Sequence, residues 1–266
     1  INVGLVGSEM CIRDSFNEVV GCEVLVRWHN GKLGDVGPDE FIPISEQTGF
    51  IIELGYFILK ESFKRLKEWE GKGIHIQQMS INISMRQLFH HAFITDVQKL
   101  CETYLNKALC SKLVFEITET SLADDVDQLI EKMKILKRLG IRFSMDDFGT
   151  GYSSLSYLRR IPIDEVKIDK SFIFELGKGE QDGSIVKTIL DIAKNLHLSI
   201  TAEGVENEVQ KDFLIKNECD LLQGYYFAKP MHKSEFETFT LNRMMGIFEE
   251  GIESGRGTNS LNYSLL

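Results

Sequence analysis

The chain has 266 residues, 43% of them hydrophobic and 26% charged, the make-up of one globular domain. Forty acidic residues against thirty basic ones give a net charge of −10. That argues against a polynucleotide partner, which would want a basic face, but suits a small anionic ligand bridged by cations. No apolar run reaches transmembrane length and no signal peptide is legible; the five Cys form neither a CxxC pair nor a secreted-type framework. A cytoplasmic location is therefore expected, either as a free protein or as the cytoplasmic part of a larger, membrane-anchored one.

The first stretch, Leu5 to Ser15, reads LVGSEMCIRDS, which coincides with one translated frame of a transposase-derived sequencing adapter. Residues 1–15 are therefore set aside as non-native. Residues 16–250 form the expected barrel domain, and the Gly- and Ser-containing residues 251–266 form a flexible tail. Val24 to Trp28 is a β-rich run with Glu23 at its start and Arg27 near its end. A helical stripe covers Ile51 to Trp69, and Ile74 to Ile83 alternates and carries Asn82. After a second helix over Phe93 to Leu105, Leu113-Val114-Phe115 ends in Glu116, with Glu119 one step further. From Asp124 to Leu139 apolar residues recur at helical period. The apolar positions Ile141, Phe143 and Met145 then lead into Asp146-Asp147 and a Gly- and hydroxyl-rich loop. Val166-Lys167-Ile168-Asp169 places a Lys inside an apolar strand. A helix over Ile185 to Leu196 precedes Ser199 to Ala202, which ends in Glu203 with Glu206 beyond. A short helix over Val209 to Ile215 precedes Leu221-Leu222, followed by Gln223-Gly224.

Strand and helix alternating along one core is the pattern of a parallel α/β fold, here a TIM-like (β/α)8 barrel. The count falls one strand short of closure, so the first strand is expected to be missing or replaced, leaving two open edges. In such a barrel the strand C-termini share one face. Glu116, Asp146, Glu203 and Gln223 take that position in four units, which predicts one acidic mouth. Adjacent carboxylates after an apolar run repel and are poorly solvated, a cost that a divalent cation with oxygen ligands removes. Each residue also has a plainer reading. Asp146-Asp147 is compatible with a turn, Lys167 with a solvent-facing edge, Asn82 with a turn former, and Glu203 and Glu206 with the acidic first turn of a helix. Separate plain explanations for every member are less economical than one shared site.

The motifs resemble the EAL-type cyclic di-GMP phosphodiesterases over roughly Val19 to Phe236. The matching segments are Glu23-Val24-Leu25-Val26-Arg27-Trp28, Phe41 to Glu46, Ile81-Asn82-Ile83-Ser84, Glu116-Ile117-Thr118-Glu119, Asp146 to Leu155, Val166 to Asp169, Ala202 to Glu206 and Gln223 to Phe227. The chain departs from Glu-Ala-Leu only at Val24, which carries no ligand atom, and from a frequent later Pro after Pro230-Met231. The resemblance implies Glu23, Asn82, Glu116 and Asp146 as metal ligands, with Asp147 serving a second metal or its water. It implies Lys167 and Glu203 beside Glu23 and Asp147 in catalysis, Lys167 orienting a water and Glu203 helping to activate it. Arg27 would contact a substrate phosphate. Gln223 and Glu206 would support the site, Gln223 on its substrate side, and Glu119 would hold the Phe148 to Ser153 loop and couple it to dimerisation.

The cofactor expected from this resemblance is Mg2+ or Mn2+ in a two-metal site, with inhibition by Ca2+. The substrate expected is cyclic di-GMP, opened to linear pGpG, and the expected assembly is a homodimer. The alternative is a catalytically weak or inactive cyclic di-GMP receptor; a regulator that binds no nucleotide fits the intact ligand set less well.

Overall fold

The computed structural model describes residues 2–13, 18–119, 125–150, 158–177 and 183–244. The tail predicted for 251–266 lies outside them, as do residues 151–157 of the Gly-rich loop. The chain opens with β1 (Asn2–Arg13), β2 (Glu18–Asn30) and β3 (Gly34–Val36), then α1 (Pro38–Thr48), α2 (Ile51–Gly71) and β4 (Gln78–Asn82). Next come α3 (Met85–Phe89), α4 (Phe93–Tyr104), α5 (Lys107–Cys110), β5 (Leu113–Thr118), α6 (Val126–Arg138) and β6 (Arg142–Phe148). The remainder is β7 (Glu165–Ile168), α7 (Lys170–Phe174), α8 (Ser184–Asn195), β8 (Ser199–Ala202), α9 (Glu208–Lys216), β9 (Leu221–Gln223) and α10 (Lys233–Met244).

The strands run in the order β1-β9-β8-β7-β6-β5-β4-β2, and β1 also pairs with β2, so the sheet closes into a barrel. Pairing is parallel from β2 round to β9, while β1 runs antiparallel to both neighbours and β3 extends β2 as a hairpin. The expected open edges are therefore corrected. Asn2–Arg13, set aside as non-native, fills the gap between β2 and β9. Backbone N–H and C=O groups at a barrel seam need a partner whatever the side chains are. The seam is irregular: the β1–β2 ladder shifts register twice, and β1 meets β9 over three residue pairs.

Amphipathic helices cover the barrel. On α2 the residues Leu59, Phe63, Leu66 and Trp69 recur at helical spacing and all are buried. Gly55 lets α3 cross α2, because a Cβ there would meet the Gln87 side chain. The last helix, α10, packs Phe236 against Trp69 with ring centroids 4.7 Å apart. Trp69 Nε1 donates to Glu237 Oε1 at 3.0 Å, and Lys72 pairs with Glu237 Oε2 at 2.7 Å. This contact fixes α10 against α2. Cys22, Cys101, Cys110 and Cys219 are buried, and none of them is in a disulfide.

We propose that β1 stands in for a native strand of different sequence. Replacing residues 2–13 by an alternating apolar strand is expected to raise the melting temperature by about 5 °C, the effect of ~1–2 kcal/mol in a domain of this size. An unchanged melting temperature and yield would contradict it.

Candidate active site

Strand alternation builds the site. On β4 the inward positions include Gln78, Ser80 and Asn82; on β6 they are Ser144 and Asp146; on β7 they are Glu165 and Lys167. The ladder sets Asn82 opposite Glu116, Asp146 opposite Thr118, and Glu23 opposite Ser80. Glu203 directly follows β8 and Gln223 ends β9. Residues remote in sequence thus reach one mouth, because every parallel strand ends there.

Lys167 lies at the centre, with 1% of its surface exposed. Its Nζ is 2.5 Å from Glu203 Oε1, 3.0 Å from Glu116 Oε2, 3.1 Å from Glu23 Oε2 and 3.6 Å from Asp146 Oδ1. The solvent-facing edge reading of Lys167 is thereby overturned. Burial alone would lower its pKa, but Glu116, Glu203, Glu23 and Asp146 hold it well above the ordinary Lys value.

The carboxylates differ sharply. Glu23 is satisfied at both oxygens: Asn82 Nδ2 donates to Oε1 at 2.7 Å, and Gln223 Nε2 donates to Oε2 at 2.9 Å. Burial opposes its ionisation, yet Lys167 and these donors outweigh burial and lower its pKa. Glu116 is buried and neither of its oxygens accepts a hydrogen bond, although Lys167 is near. Burial, then the charge of Glu23, pushes its pKa well above the usual range. Burial also pushes Glu203 up to about 8, with Asp146 and Glu23 adding to the effect. Four carboxylates around one ammonium leave negative charge uncompensated.

Asp147 sits beside this cluster with φ of 54°, a left-handed conformation costly for a non-Gly residue and of a kind that clusters at functional sites. Burial, then Asp146 and Asp169, raises its pKa. Gly149, at φ 98°, donates its N–H to Glu119 Oε2 at 2.8 Å, and Thr150 Oγ1 donates to the Asp147 carbonyl at 2.8 Å. Arg27 shares the face of β2 that carries Glu23, four residues on, and donates to the Val26 carbonyl at 2.9 Å. Glu206 is exposed; its backbone N–H donates to Gln210 Oε1 at 2.7 Å. It precedes α9, so Glu203 and Glu206 are not that helix's first turn.

Below the mouth the lumen is also polar, which the sequence reading missed. Glu165, 1% exposed, accepts from Gln78 Nε2 at 3.1 Å, Ser144 Oγ at 3.1 Å and Thr201 Oγ1 at 3.2 Å. Its signal in the sequence is the strand period: Ser144, Glu165 and Thr201 each stand two residues before Asp146, Lys167 and Glu203.

The donor set suits a hard divalent cation: carboxylate oxygens and a side-chain amide, with neither Glu116 oxygen accepting a hydrogen bond. Among the described residues no group of three or more His, Cys, Asp or Glu side chains is already arranged around a metal position. Lys167 Nζ holds the centre of the four carboxylates.

The EAL domain profile matches residues 12–230. The bifunctional diguanylate cyclase/cyclic di-GMP phosphodiesterase MucR of Pseudomonas aeruginosa is 36% identical over 213 residues, covering 80% of this chain and 31% of that protein. The cyclic di-GMP phosphodiesterase NbdA of the same organism is 38% identical over 222 residues, covering 84% of this chain and 28% of that protein. The chain thus spans under a third of the length of these curated relatives. Among solved structures, the PaMucR phosphodiesterase in complex with c-di-GMP superposes with a TM-score of 0.82 at 33% identity, covering 88% of this chain and 94% of that one. An EAL domain protein of Listeria monocytogenes gives a TM-score of 0.76 at 28% identity, covering 92% and 93%. The profile match over most of its length, with a barrel of the same form, shows that this chain belongs to the EAL domain family.

Proposed function

We infer that the chain is a metal-dependent phosphodiesterase that opens cyclic di-GMP to linear pGpG. The observation that carries this reading is the Lys167-centred cluster, in which one ammonium faces four carboxylates and Glu116 keeps both oxygens free of hydrogen bonds. The named activity of its relatives and the c-di-GMP bound to PaMucR support the same substrate.

Glu23, Asn82, Glu116, Asp146 and Asp147 would hold Mg2+ or Mn2+. Bound, such ions lower the pKa of a water and neutralise charge on phosphoryl oxygens. The chain's own residues orient the reaction. Gln223 and Asn82 fix the Glu23 carboxylate through its two oxygens. Lys167, held cationic, positions the attacking water rather than accepting its proton. Glu203, protonated more readily than an ordinary carboxyl, is suited to exchange that proton. Arg27, released from the Val26 carbonyl, reaches a substrate phosphate. Glu119 holds Gly149 and with it the entry to the loop, which links loop order to the homodimer expected for the family.

One observation favours a non-catalytic cyclic di-GMP receptor: among the described residues no group of three or more His, Cys, Asp or Glu side chains is arranged to hold a metal. Binding without turnover would select that reading. No helix among the described residues is long and apolar enough to cross a membrane; a cytoplasmic site of action follows from the proposed substrate.

Turnover of cyclic di-GMP with Mg2+ or Mn2+, read as pGpG by chromatography, is expected for the wild-type chain. Glu23→Ala and Asp146→Ala should each lower it by more than ~10²-fold, beyond the loss typical of a supporting residue. Wild-type turnover in either variant contradicts the ligand assignment. Ca2+ in place of Mg2+ should suppress turnover, because it favours longer and more variable coordination.

Stability should depend on pH with a definite sign. Glu116 and Glu203 ionise near ~4.3 when unfolded, but burial holds them protonated to higher pH in the fold, Glu203 to about 8. The native state then binds more protons than the unfolded state, so metal-free stability falls as pH rises from about 5 to about 8. The lowered pKa of Glu23 acts below this window and the raised pKa of Lys167 above it. Thermal unfolding of metal-free protein should show a lower melting temperature at pH 8 than at pH 6, with the gap narrowed by Mg2+ or Mn2+. A melting temperature that rises across this range contradicts the account.

A further inference from the structure

Glu165 has no role in the chemistry above, yet it is the most enclosed acidic group below the mouth. Its two oxygens are met by three uncharged donors from three other strands: Gln78 on β4, Ser144 on β6 and Thr201 on β8. A TIM barrel usually fills this level with Val, Ile or Leu. An ionisable group there costs free energy unless its hydrogen bonds are made with good geometry. The expense is balanced by placement. Ser144 lies two residues before Asp146, Glu165 two before Lys167, Thr201 two before Glu203, and Gln78 four before Asn82. Ladder pairing adds a lateral relation, with Glu165 opposite Ser144 and Lys167 opposite Thr201. The strands cross-linked at this level are therefore those that carry Asn82, Asp146, Lys167 and Glu203 nearer the mouth.

We propose that Glu165 is a positioning residue, the hub of a hydrogen-bonded floor that sets the depth and direction of Lys167 and the spacing of the carboxylates around it. The inference rests on the phosphodiesterase reading for its kinetic consequence, but the floor itself acts without substrate. With the floor in place, Lys167 Nζ meets Glu23, Glu116 and Glu203 together. Without it, strand shifts of a fraction of an ångström alter those distances, and misplacement of ~1 Å in a site can lower a rate by ~10²-fold.

The test compares Glu165→Leu, which removes both acceptors at similar volume, with Glu165→Gln, which keeps one carbonyl-type acceptor and reverses the partner role of the Gln78 amide. Two readouts are taken: kcat and KM for cyclic di-GMP well below the melting temperature, and, separately, the rise in melting temperature caused by Mn2+ without substrate. The expected result is a kcat at least ~10-fold lower for Glu165→Leu with KM within ~2-fold, a smaller Mn2+-induced rise, and recovery of most of both in Glu165→Gln. If Glu165→Leu does not fold, Thr201→Val removes a single donor at constant shape and should show the same losses in weaker form. Wild-type kcat and a wild-type Mn2+ response in the folded variant overturn the inference. A wild-type chain that responds to Mn2+ but does not turn over cyclic di-GMP removes the phosphodiesterase reading alone, and the Mn2+ response of the variants then decides for or against the floor. A wild-type chain with neither response overturns both.

Discussion

The structure turns on one buried ammonium. Lys167 stands where side chains from β2, β5, β6 and the end of β8 meet, and its charge allows four carboxylates to share a space that would otherwise drive them apart. The compensation is incomplete. Glu23 is anchored by Asn82 and Gln223, whereas Glu116 has hydrogen bonds to neither oxygen and is forced toward its neutral form. One carboxylate is thus held at both oxygens, while the other meets only the Lys167 ammonium.

The barrel explains why this tension persists. Closure fixes the distance between strands that are far apart in sequence, and the parallel run from β2 to β9 aims their ends one way. Because the ring is closed, the seam at β1 bears on the same geometry: Glu23 lies on the strand that β1 pairs with, and Gln223 on the other. A loosened seam would let the anchor of Glu23 slip relative to Gln223. The polar floor around Glu165 restrains β4, β6, β7 and β8 from inside, so the site is held from its rim and from below.

Much of this was legible in the sequence. Glu116, Asp146, Glu203 and Gln223 each follow a short apolar run, and in a parallel barrel that position has only one destination. Lys167 was ambiguous, since a Lys within an apolar strand commonly marks an edge, and only closure of the ring turns it inward. The floor was not legible because Ser144 and Thr201 are unremarkable strand residues, and Glu165 becomes meaningful only beside donors from other strands. Helix α1 was missed as well: it begins at Pro38 but carries Pro43 within it, and an internal Pro ordinarily signals a break. The strand at Asn2–Arg13 was excluded on the origin of its sequence, a criterion unrelated to whether backbone groups at a seam can pair.

Diffraction from crystals grown with Mn2+, using its anomalous signal, tests the central claim most directly. The account predicts Mn2+ density among the oxygens of Glu23, Asn82, Glu116 and Asp146, with Lys167 Nζ displaced from the centre it holds here. Mn2+ bound only elsewhere on the molecule, with Lys167 still seated among the four carboxylates, would contradict it.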